Sequence, residues 1–350
     1  MPTRPPKTRA ADVAWSPQAR RLRLILFTSC LCVFVMIILR IMGEIHASNR
    51  YHIRLSTVQA VTESKTNSSR STGERNRTGL NVMLRFAKRK LVVRKLCASR
   101  SRREARLTPM RLQSLYDNLM VNDKLRFIYC YVPKTGVTSW KSALLVLMGQ
   151  EASVEGIKDV NQRSRYTYLS RYNTNQEKLW RLEHYTKFMV FRDPLERLIS
   201  AYVDKFASPG INVPFHKTYG RKIISLYRPN ATVESLKHGS DVTFPEFVQF
   251  VLDGYENAHW MPSSKRCQPC TIGYDYYAAT ETASEDAGLI FHALGAPESL
   301  YLPHANEKKR STNATKFYSL LRRNQLQQII NLFKDDYLMF GYREPDVDTH

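Results

Sequence analysis

Lys134 stands among residues that hold anions. The run Pro133-Lys134-Thr135-Gly136-Val137-Thr138-Ser139 combines one ammonium, three hydroxyls and a glycine. The N–H groups of such a loop, the positive end of a following helix and a lysine all attract phosphate. It is not a Walker A loop, because G-x-x-x-x-G-K-[ST] is absent. A second run, Arg192-Asp193-Pro194-Leu195-Glu196-Arg197-Leu198-Ile199-Ser200, brings a guanidinium and a hydroxyl toward one phosphate. Each run also has a plain structural reading. The first can be a turn with an exposed lysine, the second a salt bridge between Arg192 and Glu196 at a helix start.

The flanking residues predict what positions these groups. Arg126 to Val132 alternates aromatic and β-branched residues as a buried strand does, Pro133 ends it, and Trp140 to Met148 reads as a helix. Phe188 to Phe191 reads as a short apolar strand. Asp193 and Pro194 then suit an N-cap and first helical residue, and Leu195, Leu198, Ile199, Tyr202 and Phe206 make a buried stripe. Leu112, Leu115, Tyr116, Leu119 and Met120 recur with helical spacing, which places the start of the folded domain near residue 116. Leu326, Ile329, Ile330 and Phe333 predict an amphipathic helix packed on the sheet, and Phe340-Gly341-Tyr342 closes the domain.

Both anion segments, in this order, resemble the two donor-binding motifs of sulfotransferases. The resemblance is nearest to the Golgi carbohydrate sulfotransferases that include the chondroitin and dermatan N-acetylgalactosamine 4-O-sulfotransferases and the glucuronyl 3-O-sulfotransferase. That family carries patterns like YCxVPKVxCTxWK, FVREPxERLxSAYxxKF, HWxPxxxLCxPCxIxYD and a terminal DFxxFGY. The same stations here read YCYVPKTGVTSWK, VFRDPLERLISAYVDKF, HWMPSSKRCQPCTIGYD and DYLMFGY, over roughly residues 116–342. Val137 stands where the family often has Cys, and Asp193 replaces Glu with its charge kept.

The resemblance implies an α/β fold: a P-loop-like sulfotransferase domain with a central parallel sheet and helices on both faces. It implies 3′-phosphoadenosine-5′-phosphosulfate as donor, no metal, and a glycan hydroxyl as acceptor, in chondroitin, dermatan or an N-glycan. Residues 133–139 would bind the 5′-phosphosulfate and residues 192–200 the 3′-phosphate. Lys134 is then the catalytic cation, stabilising charge that builds on the bridging oxygen as its bond to sulfur breaks. His259, at the His-Trp station, is the first candidate for the base that takes the acceptor proton, with His184 and Glu281 as alternatives. Cys267 and Cys270 form a CxxC pair without partners at zinc spacing. Disulfides are expected instead, and Cys97, Cys130, Cys267 and Cys270 leave three complete pairings open.

Leu24 to Leu39 is a run of sixteen uncharged residues, and Leu24 to Met42 spans roughly 28 Å as a helix. Six basic residues precede it against Asp12 alone, which predicts a cytosolic N-terminus and a single-pass type II anchor over 24–43. Cys30 and Cys32 lie within it as apolar filler. Sequons at Asn67, Asn76, Asn230 and Asn313 agree with a lumenal placement, and the resemblance makes the compartment the Golgi. Residues 1–23 form the tail, 44–115 a stem and 116–345 the sulfotransferase domain. The net charge of +22 lies mainly before residue 111: residues 1–110 carry 23 basic and 5 acidic side chains, residues 111–350 carry 30 and 26. The near-balanced remainder argues against a nucleic-acid binder. The ten basic residues between Arg85 and Arg106 read as a solvated linker or as a patch for polyanions. Two other classes share parts of this layout. A type II glycosyltransferase would place its Asp-x-Asp site at Asp346 and Asp348, within five residues of the end. A non-enzymatic binder of acidic polysaccharide would leave both anion segments without a role.

Overall fold

The computed structural model describes residues 71–100, 107–208, 210–303 and 314–347. Two units divide between Asn76 and Arg77, and the sheet with all helical residues from Arg77 onward belongs to the second. The segment 24–43, Cys30, Cys32, Asn67 and Asn313 lie outside the described residues. Among those described, no helix is long and apolar enough to cross a membrane. The elements that build and brace the site are α1 (Ser71–Ser99), α2 (Pro109–Tyr116), β1 (Leu119–Asn122), β2 (Phe127–Cys130), α3 (Val137–Leu147), β3 (Thr167–Tyr168), α4 (Asn175–His184), β4 (Thr186–Phe191) and α5 (Pro194–Lys205). After them come α6 (Phe244–Leu252), α7 (Ser263–Cys267), β5 (Tyr276–Ala279), α8 (Ala283–Ala293), α9 (Arg323–Leu332) and α10 (Lys334–Phe340).

The sheet has five strands in the order β3-β1-β2-β4-β5. β2, β4 and β5 run parallel, while β1 is antiparallel to both β2 and β3. The fold is α/β as expected, but its sheet is mixed where the resemblance implied a parallel one. The reason is local. β1 and β2 are joined by residues 123–126, too few for the crossover that parallel neighbours need. Asn122 Oδ1 accepts the Leu125 N–H at 2.8 Å, and Arg126 takes a left-handed φ of 51° to close the turn. The helical spacing that ran through Leu119 and Met120 was a coincidence across a junction: α2 ends at Tyr116, and both residues lie on β1.

Along β2 the side chains alternate between faces. Phe127 and Tyr129 enter one core with Trp140, Leu144, Phe188 and Ile290. Ile128 and Cys130 enter the other with Val93, Met189, Tyr277 and Phe340. Tyr129 stacks on Phe188 with centroids 4.7 Å apart. A third apolar cluster contains no strand residue. It joins the α5 stripe (Leu195, Leu198, Ile199, Tyr202) to α6 and to Leu326, Ile329 and Ile330 of α9. The terminal amphipathic helix therefore packs on helices rather than on the sheet, because the apolar face left for it belongs to α5 and α6.

Helix α1 occupies sequence read as stem and basic linker. Its Val82, Phe86 and Val93 are buried. Arg85 and Arg89 meet the fully buried Asp286 at 2.8 and 2.6 Å, and Lys90 pairs with Asp275 at 3.1 Å. Arg85, Arg89 and Lys90, three of the ten basic residues in that run, are thus paired within the fold. Of the three open pairings, the cysteines adopt Cys97–Cys270 and Cys130–Cys267.

Candidate active site

β2 and β4 are hydrogen-bonded parallel neighbours, with Cys130 opposite Met189. Both anion segments therefore leave the same, C-terminal edge of the sheet, where α/β folds place their ligands. Beyond β2 the chain turns sharply. Lys134 has a φ of 73° and Gly136 one of 80°. A lysine in the left-handed region is strained, and such strain gathers at binding loops. Thr135 is buried and donates from Oγ1 to Val132 O at 2.7 Å, which fixes the loop from inside. α3 begins at Val137, three residues earlier than the sequence indicated, so Thr138 and Ser139 lie in its first turn. That turn's N–H groups have no partners within the helix.

Across the cleft, Asp193 caps α5, its carboxylate accepting the Glu196 N–H at 2.9 Å, with Pro194 in the first turn. Arg192 joins the two segments: Nη1 donates to Lys134 O at 3.5 Å, and Nη2 meets Glu196 Oε2 at 3.2 Å. The salt bridge foreseen at the helix start exists, and it lies inside the shared cleft. Leu195, Arg197, Leu198 and Ile199 point their side chains into the interior, whereas Arg192, Asp193, Glu196 and Ser200 are only half-buried. Glu196, Ser200 and Asp204 follow one another at intervals of four, one line along α5.

Asp204 and Lys205 close the VFRDPLERLISAYVDKF run but carry no role in the sequence reading; the structure makes them functional candidates. Lys134 Nζ lies 3.2 Å from Asp204 Oδ2, which also meets Lys205 Nζ at 3.0 Å. The i, i+4 line from Glu196 through Ser200 was the available signal. Burial holds the Lys134 ammonium below its ordinary pKa, Asp204 opposing and Lys205 and Arg192 adding to the shift. Burial pushes Asp204 up, but the two lysines outweigh it and leave the carboxyl below its usual value.

His259 belongs to the same charge group. Burial first, then Lys205 and Lys134, depress its pKa to about 4, against Asp204. Its backbone N–H donates to Asn257 Oδ1 at 3.0 Å, and Phe215 packs edge-on at 5.4 Å. Nδ1 is buried with no hydrogen-bond partner among the described residues. The backbone is braced by Arg197, fully buried, which donates to His259 O at 3.1 Å and to Met261 O. Arg197 thus shapes the site from below. His184 is the last residue of α4, which leads into the start of β4 at the sheet edge opposite Arg192, and its Nδ1 lies 2.7 Å from Trp180 O. Glu281 follows β5 on the site edge and accepts from Tyr342 Oη at 2.9 Å.

A parallel strand pair that delivers a lysine loop and an arginine helix to one cleft defines a class. Residues 117–343 match the profile of the sulfotransferase family, and the chain belongs to that family. Carbohydrate sulfotransferase 8 of Mus musculus is 36% identical over 278 residues, 75% of this chain and 64% of that protein. Carbohydrate sulfotransferase 9 of Homo sapiens is 38% identical over 239 residues, 65% of this chain and 53% of that protein. Carbohydrate sulfotransferase 14 of Danio rerio is 35% identical over 269 residues, 75% and 72%. The chain spans a little over half to just under two-thirds of the length of the first two. No solved structure gives a significant match.

Proposed function

We propose that this protein transfers a sulfuryl group from 3′-phosphoadenosine-5′-phosphosulfate to a hydroxyl of a glycan. The observation that carries the reading is the convergence of Lys134 and Arg192, linked at 3.5 Å across adjoining strand ends. The relatives' names support a carbohydrate acceptor, and N-acetylgalactosamine in chondroitin, dermatan or an N-glycan is the acceptor we assign.

The residues divide the work. The N–H groups of the 134–139 loop and the first turn of α3 receive the 5′ end of the donor. Arg192 and Ser200 hold the 3′-phosphate. An arriving polyanion competes with Asp204 for Lys134 and with Glu196 for Arg192, so both cations are released onto the donor as it binds. Lys134 then meets the charge that grows on the bridging oxygen. His259, its pKa depressed to about 4, is in the neutral form a base needs at neutral pH, though so low a pKa makes it a weak base for the acceptor proton. We place the protein in the Golgi membrane as a single-pass type II chain anchored by residues 24–43. Asn230, exposed in the turn after Tyr227, supports glycosylation there.

The test is retention on immobilised adenosine 3′,5′-bisphosphate, followed by incubation with radiolabelled donor and desulfated glycans. Wild-type protein is retained and labels a glycan; Arg192→Ala is eluted at lower free ligand. Absence of both retention and labelling in the wild type rejects the reading.

A further inference from the structure

The donor cleft uses Lys134, Arg192, Asp204 and Lys205, and leaves two buried cations beside it unexplained. Lys141, in the second turn of α3, is 4% exposed, and Arg266, in α7, is 5% exposed. Both lie against one ring: Lys141 Nζ is 4.9 Å and Arg266 Cζ 4.8 Å from the Tyr131 centroid. Arg266 Nε donates to Tyr131 O at 2.9 Å. Lys141 sits 4.9 Å from the Tyr166 ring and donates to Asn161 Oδ1 at 3.3 Å. Arg163 lies at the exposed rim, 3.9 Å over Tyr168, and meets Asp117 at 3.5 Å.

Ring faces and one amide oxygen compensate a cation only in part. Among the described residues, no carboxylate pairs with Lys141 or Arg266. Buried charges of like sign without a counter-ion are expensive, and a protein keeps them where an anion completes the group. The Cys130–Cys267 bond fixes their placement, since Tyr131 and Arg266 are the chain neighbours of its two ends. Tyr131 lies three residues before Lys134, and α3 carries the donor loop at its start. The group therefore adjoins the transfer point. It lies on the β1–β3 side, away from Arg192, which leaves the end of β4.

We infer that Lys141 and Arg266, with Arg163 at the rim, form an acceptor subsite for an acid group carried by a sugar adjoining the one that is sulfated. This rests on the transfer reading above. The chemistry is that of a carboxylate or a sulfate ester, either of which takes paired donors from a guanidinium and an ammonium.

The experiment uses the full chain with four acceptors: desulfated chondroitin, its carboxyl-reduced form, and a sulfated version of each. For wild type, Lys141→Gln and Arg163→Gln, kcat/KM is measured on each acceptor. Binding of the same polymers is measured without donor, as is the affinity for adenosine 3′,5′-bisphosphate. In Lys141→Gln the preference for acidic over uncharged acceptor falls about tenfold or more. Arg163→Gln shifts it less in the same direction, and bisphosphate affinity stays within about twofold. A preference lost on the carboxylate polymers alone assigns a uronate; one lost on the sulfated polymers alone assigns a sulfate ester. An equal loss on all four acceptors, or on none, overturns the subsite. The donor-free binding data decide this even if no transfer is seen, so failure of the subsite and failure of the transfer reading are told apart.

Discussion

At the scale of single residues, Lys134 and Lys205 share one carboxylate, Asp204. Lys134 is held in a left-handed turn with its ammonium against Asp204. Substituting Lys134→Ala removes a preorganised cation and lowers kcat by about 10²–10³. The unfolding midpoint of the purified variant should stay near wild type, because a half-buried lysine in a strained turn contributes little to stability. Near-native turnover would exclude Lys134 from the chemistry. His259 gives a pH signature. Its pKa of about 4 in the folded protein lies below the ordinary 6.5, so protonation removes a base only under strongly acidic conditions. The profile of kcat/KM should have its acidic limb near pH 4, and His259→Gln should lose the limb together with about 10²–10⁴ in rate. A wild-type limb near 6.5 would mean that burial and the two lysines do not act on the ring as described. The same shift affects stability. The unfolded chain binds a proton at His259 between pH 6.5 and 4 and the folded one does not, so stability is lost as pH falls through that window.

At the scale of elements, the site depends on a buried brace. Asp336, in α10, accepts the N–H groups of Ser263 and Ser264 at 2.6 and 2.7 Å. It also faces the buried charge of Arg197, whose guanidinium holds the His259 segment. Replacing Asp336→Ala strips two N–H groups of their acceptor and leaves a guanidinium uncompensated, a loss of about 3–5 kcal/mol. Chemical denaturation reads it, and a loss under about 1 kcal/mol would show that the brace is dispensable. The C-terminal Phe340-Gly341-Tyr342 joins the same edge: Phe340 stacks on Phe191 at 4.6 Å, directly before Arg192. This contact brings a segment far along the chain against the residue before Arg192.

At the scale of the whole molecule, the catalytic body begins earlier than the family match does. A chain started at residue 107 would keep every matched residue yet lose α1. That removes three buried apolar side chains, worth about 1.5–3 kcal/mol each, and the Cys97–Cys270 bond. Such a chain should be recovered mainly as aggregate, while one started at residue 71 is soluble and retained on the bisphosphate. Equal yields and equal unfolding midpoints would relegate α1 to a linker. The basic run was opaque in sequence because its partners, Asp275 and Asp286, lie some 190 residues away.

Local chemistry made much of this legible. Asp193-Pro194 marks a helix start ahead of an apolar stripe, whereas the strand expected to run to Val132 and end at Pro133 stops at Cys130. The two segments were likewise readable as loop-and-helix starts, and the parallel pairing of β2 with β4 brings them to one edge. What the chain could not disclose before folding is which distant groups meet. The mixed sheet, the choice among three cysteine pairings, the capture of Lys134 by Asp204 and the like-charged pair around Tyr131 all depend on packing between segments far apart in sequence. Burial and proximity set the energies of such groups, and both exist only once the elements have closed on one another.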